Sequence, residues 1–137
     1  MSVDIERLLS IWLRTHDEVT DIVDQRVVTE MPARKGFPLA RLTLIDEADR
    51  LTEPPLYLTD SLIQFDCYGG PKVQARELAD TIRALLPELQ GSHDLGVVTG
   101  VKFGTYGYLP DEDLNPAQPR YRFDVHVYAH TNPHPGS

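Results

Sequence analysis

Residues 59–86, TDSLIQFDCYGGPKVQARELADTIRALL, decide the fold of this 137-residue chain. In the first half, Ile63, Phe65 and Cys67 alternate with polar residues, which is the period of two of a half-buried strand. In the second half, apolar residues recur at helical spacing and predict a helix with one face toward a core. These apolar helical positions are Ala75, Leu78, Ala79, Ile82, Leu85 and Leu86. The stretch therefore predicts a strand, a tight turn at residues 69–71 and an amphipathic helix.

The glycine pair at the junction between this strand and this helix is also typical of phosphate-binding loops. A P-loop requires the pattern GxxxxGK[ST], and a dinucleotide-binding loop requires GxGxxG. Here Lys72 is followed by Val73, so the hydroxyl that holds a magnesium ion is absent, and there is no third glycine. We therefore interpret the junction as a structural turn. A small cytoplasmic enzyme that uses the Gly69-Gly70-Pro71-Lys72 turn is kept as an alternative.

The rest of the chain predicts two more helices and four more strands. Residues 4–14 form an amphipathic helix, and Thr15 with Glu18 predicts a capping box that starts a second, short helix. Strands are predicted at residues 26–30, 39–45, 97–108 and 121–130, the last with strict alternation. This order predicts an α+β fold, a two-layer sandwich in which a largely antiparallel, mixed sheet carries its helices on one face.

The polar sides of these strands predict a sheet face that no helix covers. That face would carry Arg41, Thr43, Gln64, Asp66, Tyr68, Lys102, Arg122, Asp124 and His126. Such a mixture is found on plain solvated surfaces and also in protein interfaces, where Tyr and Arg are enriched. Two acidic connections, residues 46–58 and 109–119, are predicted as long loops, and long ordered loops in compact domains usually have a function.

Composition predicts a single domain of residues 1–130 followed by a flexible C-terminal tail of residues 131–137. The 21 acidic and 13 basic residues give a net charge of −8, without the Lys/Arg cluster that grips nucleic acid. The apolar runs are too short to cross a bilayer, and the N-terminus lacks a signal-peptide pattern. We therefore expect a chain that folds in a cytoplasm and binds no membrane. The single Cys67, which cannot form an internal disulfide, agrees with that compartment.

No combination of side chains matches an active site. His130 and His134 are four residues apart, but the prolines on either side of His134 prevent the helix that would bring both to one metal ion. His126 beside Asp124 could be an acid–base pair or a cross-strand contact, and no nucleophile lies in a recognisable motif. The run Asp111-Glu112-Asp113 lacks the alternating ligands and central glycine of a calcium loop. The sequence therefore predicts no enzyme, with no catalytic, cofactor-binding or metal-binding residues.

Five segments between about residues 4 and 130 share their pattern with a known family. They are IERLLSIWL, EVTDIVDQRVV, FPLARLTL, IQFDCYGGPKVQARELADTIRALL and RYRFDVHVYAH. Together they resemble the tail terminator (tail completion) proteins of long-tailed bacteriophages. The resemblance rests on the order and pattern of the segments rather than on invariant residues.

This resemblance implies a structural virion protein. Such proteins assemble as a ring, typically a hexamer, on the head-proximal end of the tail tube, stop its polymerisation and join the tail to the head connector. The implied partners are further copies of the chain, the major tail tube protein and the head–tail connector protein. The implied location is the tail–neck region of the virion, after synthesis and assembly in the bacterial host cytoplasm. Another type of head–tail connector component is an alternative.

In such a ring, DNA passes through the lumen without specific binding. An acidic lumen would repel the DNA phosphates and let the genome slide through. The acids of the two predicted loops are therefore candidates for the interface or the lumen. They are Asp46, Glu47, Asp49, Glu53, Asp111, Glu112 and Asp113.

Overall fold

The computed structural model, which describes residues 3–51 and 57–131, consists of a six-stranded sheet with helices packed on one face. The helices are α1 (Ile5–Arg14), α2 (Asp17–Val23) and α3 (Lys72–Leu85), with a 3₁₀ turn at Leu86–Leu89. The strands are β1 (Val27–Val28), β2 (Leu39–Leu51), β3 (Tyr57–Tyr68), β4 (Gly91–His93), β5 (Gly96–Tyr108) and β6 (Arg120–His130). The predicted α+β fold is confirmed.

The strands lie in the order β1-β2-β3-β6-β5-β4. Only β1 and β2 pair in parallel; every other neighbouring pair is antiparallel. The C-terminal strand β6 therefore lies near the centre of the sheet, between β3 and β5. Its position explains its strict alternation, because one phase must face the helices along the whole strand.

The core lies between the sheet and α3, on the side that we call the inner face. Ala75, Leu78 and Ile82 of α3 are fully buried, as the helical spacing predicts. Opposite them, the rings of Phe65 and Phe123 stack across β3 and β6 with their centroids 4.6 Å apart. The two central strands and α3 thus bury one continuous apolar layer, which fixes the register of the sheet.

The start of α2 differs from the prediction. Thr15 is the C-terminal cap of α1, and its hydroxyl donates a hydrogen bond to the carbonyl oxygen of Trp12 at 2.6 Å. His16, whose side chain forms no capping hydrogen bond, is the N-cap of α2. The predicted capping box is therefore wrong, because the Thr15 side chain is used by the helix that ends rather than by the helix that begins.

The acidic connection at residues 46–58 is also different: most of it is a hairpin rather than a loop. Strand β2 continues to Leu51 and pairs with β3 from Tyr57 onward, while residues 52–56 lie outside the described part of the chain. A shift of register between Leu44 and Asp46 leaves Ile45 exposed at a bulge. Beyond this bulge, the residues of β2 are exposed as far as Asp49, so no apolar phase marks the strand in the sequence.

The second acidic connection, residues 109–119, is a loop held to the sheet. Within it, Asp111 and Gln118 form an antiparallel bridge through two backbone hydrogen bonds of 2.9 and 3.1 Å. Strand β4, which no sequence pattern predicted, pairs with the start of β5. The predicted flexible tail lies, apart from Thr131, outside the described residues.

Candidate interaction surfaces

Three of the seven candidate acids lie on β2, not in a loop. Asp46 points to the outer face of the sheet, opposite Leu62, whereas Glu47 and Asp49 point to the inner side, opposite Ser61 and Thr59. All three are exposed. Asp49 accepts a hydrogen bond of 3.1 Å from the hydroxyl of Thr59. The fourth candidate of this region, Glu53, lies outside the described residues.

The acids of the 109–119 loop divide into two exposed residues and one buried residue. Glu112 and Asp113 are exposed. Asp111 is only 7% exposed, and its carboxylate accepts a 2.7 Å hydrogen bond from the hydroxyl of Tyr68. It also lies 3.4 Å from a guanidinium nitrogen of Arg120. Asp111 therefore anchors the loop to the sheet and is not available as a surface acid.

The pKa values of this buried pair follow from their contacts. Burial acts to raise the pKa of Asp111, but the hydrogen bond from Tyr68, the Asp113 N–H and the charge of Arg120 together lower it. Burial and the hydrogen bond to Asp111 raise the pKa of Tyr68 to about 12. The stabilisation from ionised Asp111 is therefore complete above its unfolded pKa of about 3.9 and is lost as the pH falls through the lower folded value.

A buried carboxylate, Asp66, organises the outer face beside this anchor. It is fully buried, and Arg41 and Arg122 contact its two oxygens at 2.9 and 2.7 Å. Arg120 lies 3.8 Å from the same carboxylate and links it to the Asp111 anchor. The three arginines come from neighbouring strands and the edge of the loop, so a single carboxylate holds β2, β3 and β6 in register on this face.

The outer face, which was predicted to carry no helix, is nevertheless partly buried. Asp66 and Tyr68 are fully buried there, and the ring of Phe37 lies 5.6 Å from that of Tyr68. The sequence does contain a signal: Arg41, Asp66 and Arg122 occupy the polar phases of strands that prove to be neighbours. Without the strand order, this signal could not be distinguished from solvated charges.

A cationic and aromatic surface lies where α3 passes over β5. The guanidinium of Arg83 lies 4.2 Å from the centroid of the Tyr106 ring and 5.3 Å from that of Phe103. The ammonium of Lys72 lies 4.2 Å from the Tyr108 centroid. Burial, with a 2.8 Å hydrogen bond to Asp80, raises the pKa of the Tyr106 hydroxyl. Cation–π contacts of this kind are worth about 0.5–2 kcal/mol each and hold α3 on the sheet.

The residues considered for catalysis are held in other contacts. His126 pairs with Asp60 through a 2.8 Å contact, whereas Asp124 accepts a 3.1 Å hydrogen bond from Thr105. The suggested pair of His126 and Asp124 is therefore not formed. Cys67 is fully buried on the inner face, and burial raises the pKa of its thiol. Its strand partner on β6 is Tyr121, five residues from His126, which keeps the thiol away from the imidazole.

Close packing explains the glycine at position 69, in the turn between β3 and α3. A side chain at Gly69 would collide with the backbone of Ala75 and Pro71, so only glycine lets α3 start this close to the end of β3. Lys72, the residue that a phosphate site would use, lies over Tyr108 instead. The described residues give this turn a structural role.

Neither a metal site nor a membrane-spanning helix is found within residues 3–51 and 57–131. Within these ranges, no three His, Cys, Asp or Glu side chains lie close enough to hold a metal ion. No helix in the same ranges is long and apolar enough to span a membrane. A shallow groove of about 420 Å³ lies between α1 and the turn after β4, with Ile11, Trp12 and Leu95 in its lining.

Comparison with known proteins identifies the fold. A chain in the virion of a native gene transfer agent particle superposes with a TM-score of 0.64. The match covers 92% of this chain and 94% of that chain at 14% sequence identity. No protein-family model and no curated protein sequence matches this chain. The two chains therefore share one fold along almost their whole lengths.

Proposed function

We propose that this chain is a structural virion protein, and specifically a tail terminator. In this role it forms a ring, typically a hexamer, on the head-proximal end of the tail tube, stops tube polymerisation and joins the tail to the head connector. The observation that carries the proposal is the full-length fold match to a virion chain. The family resemblance of the sequence supports the finer assignment, because that resemblance extends over almost the whole chain, as the fold match does.

The described surfaces agree with a role in assembly rather than in catalysis. The acidic hairpin and the cationic surface of α3 and β5 lie toward opposite edges of the sheet. A subunit with two different surfaces at opposite edges can repeat head to tail and close into a ring. The partners in this proposal are other copies of the chain, the major tail tube protein and the head–tail connector protein, at the neck of the virion.

A different head–tail connector component is the second candidate, since a virion fold match supports it equally. Cross-linking of intact particles, followed by mass spectrometry, separates the two. For a terminator, we expect cross-links from this chain both to the major tail tube protein and to the connector. Cross-links to the connector and the portal, with none to the tube, would assign the chain to the second class.

Within the proposed ring, the exposed acids Glu47, Asp49, Glu112 and Asp113 are candidates for the lumen or its rims. Like charges there would keep DNA phosphates from binding the wall. We expect that reversing all four to lysine slows genome release from particles at low salt and lowers the melting temperature of the subunit only by the loss of the hydrogen bond from Thr59 to Asp49. Normal release at low ionic strength would remove these residues from the lumen without affecting the terminator assignment.

A further inference from the structure

The two long strands at either side of the sheet have open edges. Strand β1 pairs only with Ala40 and Arg41 of β2, and β4 pairs only with residues 96–98 of β5. Within the described ranges, no strand pairs with the rest of either edge. The N–H and C=O groups along such edges are available for another strand, unless side chains block them. We call the open part of β2 the β2 edge and the open part of β5 the β5 edge.

The two edges carry opposite and unpaired charges. At the β2 edge, Asp46 is exposed and forms no ion pair with any described residue, and the carboxylate of Glu6 accepts the outward N–H of Leu44 at 2.6 Å. At the β5 edge, Lys102 is exposed, and neither Lys102 nor Arg83 forms an ion pair within the described ranges. The Nε atom of Arg83 is buried and has no hydrogen-bond partner there.

These opposite charges also lie at matching levels along the strands. Asp46 is opposite Leu62, Leu62 is opposite His126, and His126 is opposite Lys102, so one row across the outer face ends in Asp46 and in Lys102.

A second row joins Leu44 to Phe103 through Ile63 and Val125 on the inner face. A charged side chain lies at each end of this row: Glu6 accepts the N–H of Leu44 at one end, and Arg83 lies over the ring of Phe103 at the other. The same two levels therefore carry an acid at one edge and a cation at the other.

From this arrangement we infer that the β2 edge of one copy binds the β5 edge of the next, with Asp46 against Lys102 and Glu6 against Arg83. The inference rests on the proposed function, because a repeating ring places each edge beside a second copy of the chain. If the ring axis is close to the strand direction, rotation from one copy to the next leaves the height of each residue along that axis unchanged. The row that ends in Asp46 in one copy therefore meets the row that ends in Lys102 in the next.

The strand directions fit this contact as well. Three successive antiparallel steps, from β2 to β3, β6 and β5, make β2 and β5 antiparallel. The joined edges therefore run antiparallel to each other, and at the level of Leu44 they meet through side chains, because Glu6 already accepts the outward N–H of Leu44. The bulge of the β2 edge adds an exposed apolar side chain, Ile45, beside Asp46. In this arrangement Asp46 lies between copies rather than in the lumen.

A charge-swap experiment tests this interface. We expect Asp46→Lys alone and Lys102→Asp alone each to raise the protein concentration for half-maximal ring assembly about tenfold, because each replaces attraction by repulsion. The double variant, Asp46→Lys with Lys102→Asp, should return this concentration to near the wild-type value. Assembly is measured by native mass spectrometry of the free chain and by electron microscopy of the chain added to purified tail tubes.

Asp21→Lys is the matched control, since Asp21 is an exposed acid on α2, away from both edges. It should assemble as wild type, and the melting temperature of each variant monomer shows that folding is unchanged. If wild-type rings form and neither reversal weakens them, or if the double swap does not restore assembly, the inferred interface is wrong while the terminator proposal stands. If the wild-type chain forms no ring, free or on tubes, both are wrong.

Discussion

Replacement of Asp66 by asparagine is expected to destabilise the fold by about 3 kcal/mol, because it leaves the guanidinium groups of Arg41 and Arg122 without their counter-charge. Asp66 is fully buried, and Arg41 and Arg122 contact it at 2.9 and 2.7 Å while Arg120 lies 3.8 Å away. This loss of unfolding free energy is at the low end of the range for broken buried ion pairs, because the arginine side chains are partly exposed and water can solvate them in the variant. Urea denaturation of the purified chain measures it.

Asp46→Asn is the control for this substitution. Asp46 lies on the same outer face but is exposed and has no ion pair among the described residues, so its loss should change the free energy of unfolding by less than about 0.5 kcal/mol. The Asp66→Asn variant should also become easier to cleave by protease in the 109–119 loop, which the same cluster holds through Arg120 and Asp111. Equal unfolding free energies for Asp66→Asn and wild type would show that the cluster does not hold the sheet.

The central part of the fold could be predicted from the sequence because its patterns are strict. In the stretch from Ile63 to Leu86 and in the last strand, only one face is buried. Apolar residues therefore occur at every second position of the strands and at every third or fourth position of the helix. The outer part of the β2–β3 hairpin could not be predicted. There the residues of β2 are exposed on both faces from Ile45 to Asp49, so hydrogen bonding makes the strand and no side-chain pattern marks it.

The surfaces were less predictable than the core. Asp111, Glu112 and Asp113 are equivalent in the sequence, yet Asp111 alone is buried, because Tyr68 reaches it from a strand 43 residues away and Arg120 from the start of the next strand. Asp46 and Lys102 lie at the two ends of one row across the sheet only because the strands are ordered β2-β3-β6-β5, and the sequence patterns do not contain this order. Contacts between distant segments decide which charges are structural and which are available for partners.

Deletion of this chain is expected to affect virion assembly more than any substitution in it. A tube that polymerises by adding identical rings has no intrinsic end, so without a terminator its length is not limited. Tails should then be irregular or excessively long, and heads should accumulate without tails, because the proposed connector-binding surface is missing. Supplying the intact chain in trans should restore both tail length and head joining, which excludes an effect on neighbouring genes.

The most direct test of the terminator assignment is the length distribution of tails, measured by negative-stain electron microscopy of lysates made with and without this chain. With the chain present, we expect one narrow peak of tail lengths and tails joined to heads. Without it, we expect a broad distribution that extends to longer tubes, together with tailless heads. Tails of unchanged length that are joined to heads in the absence of the chain would show that this chain is not the terminator.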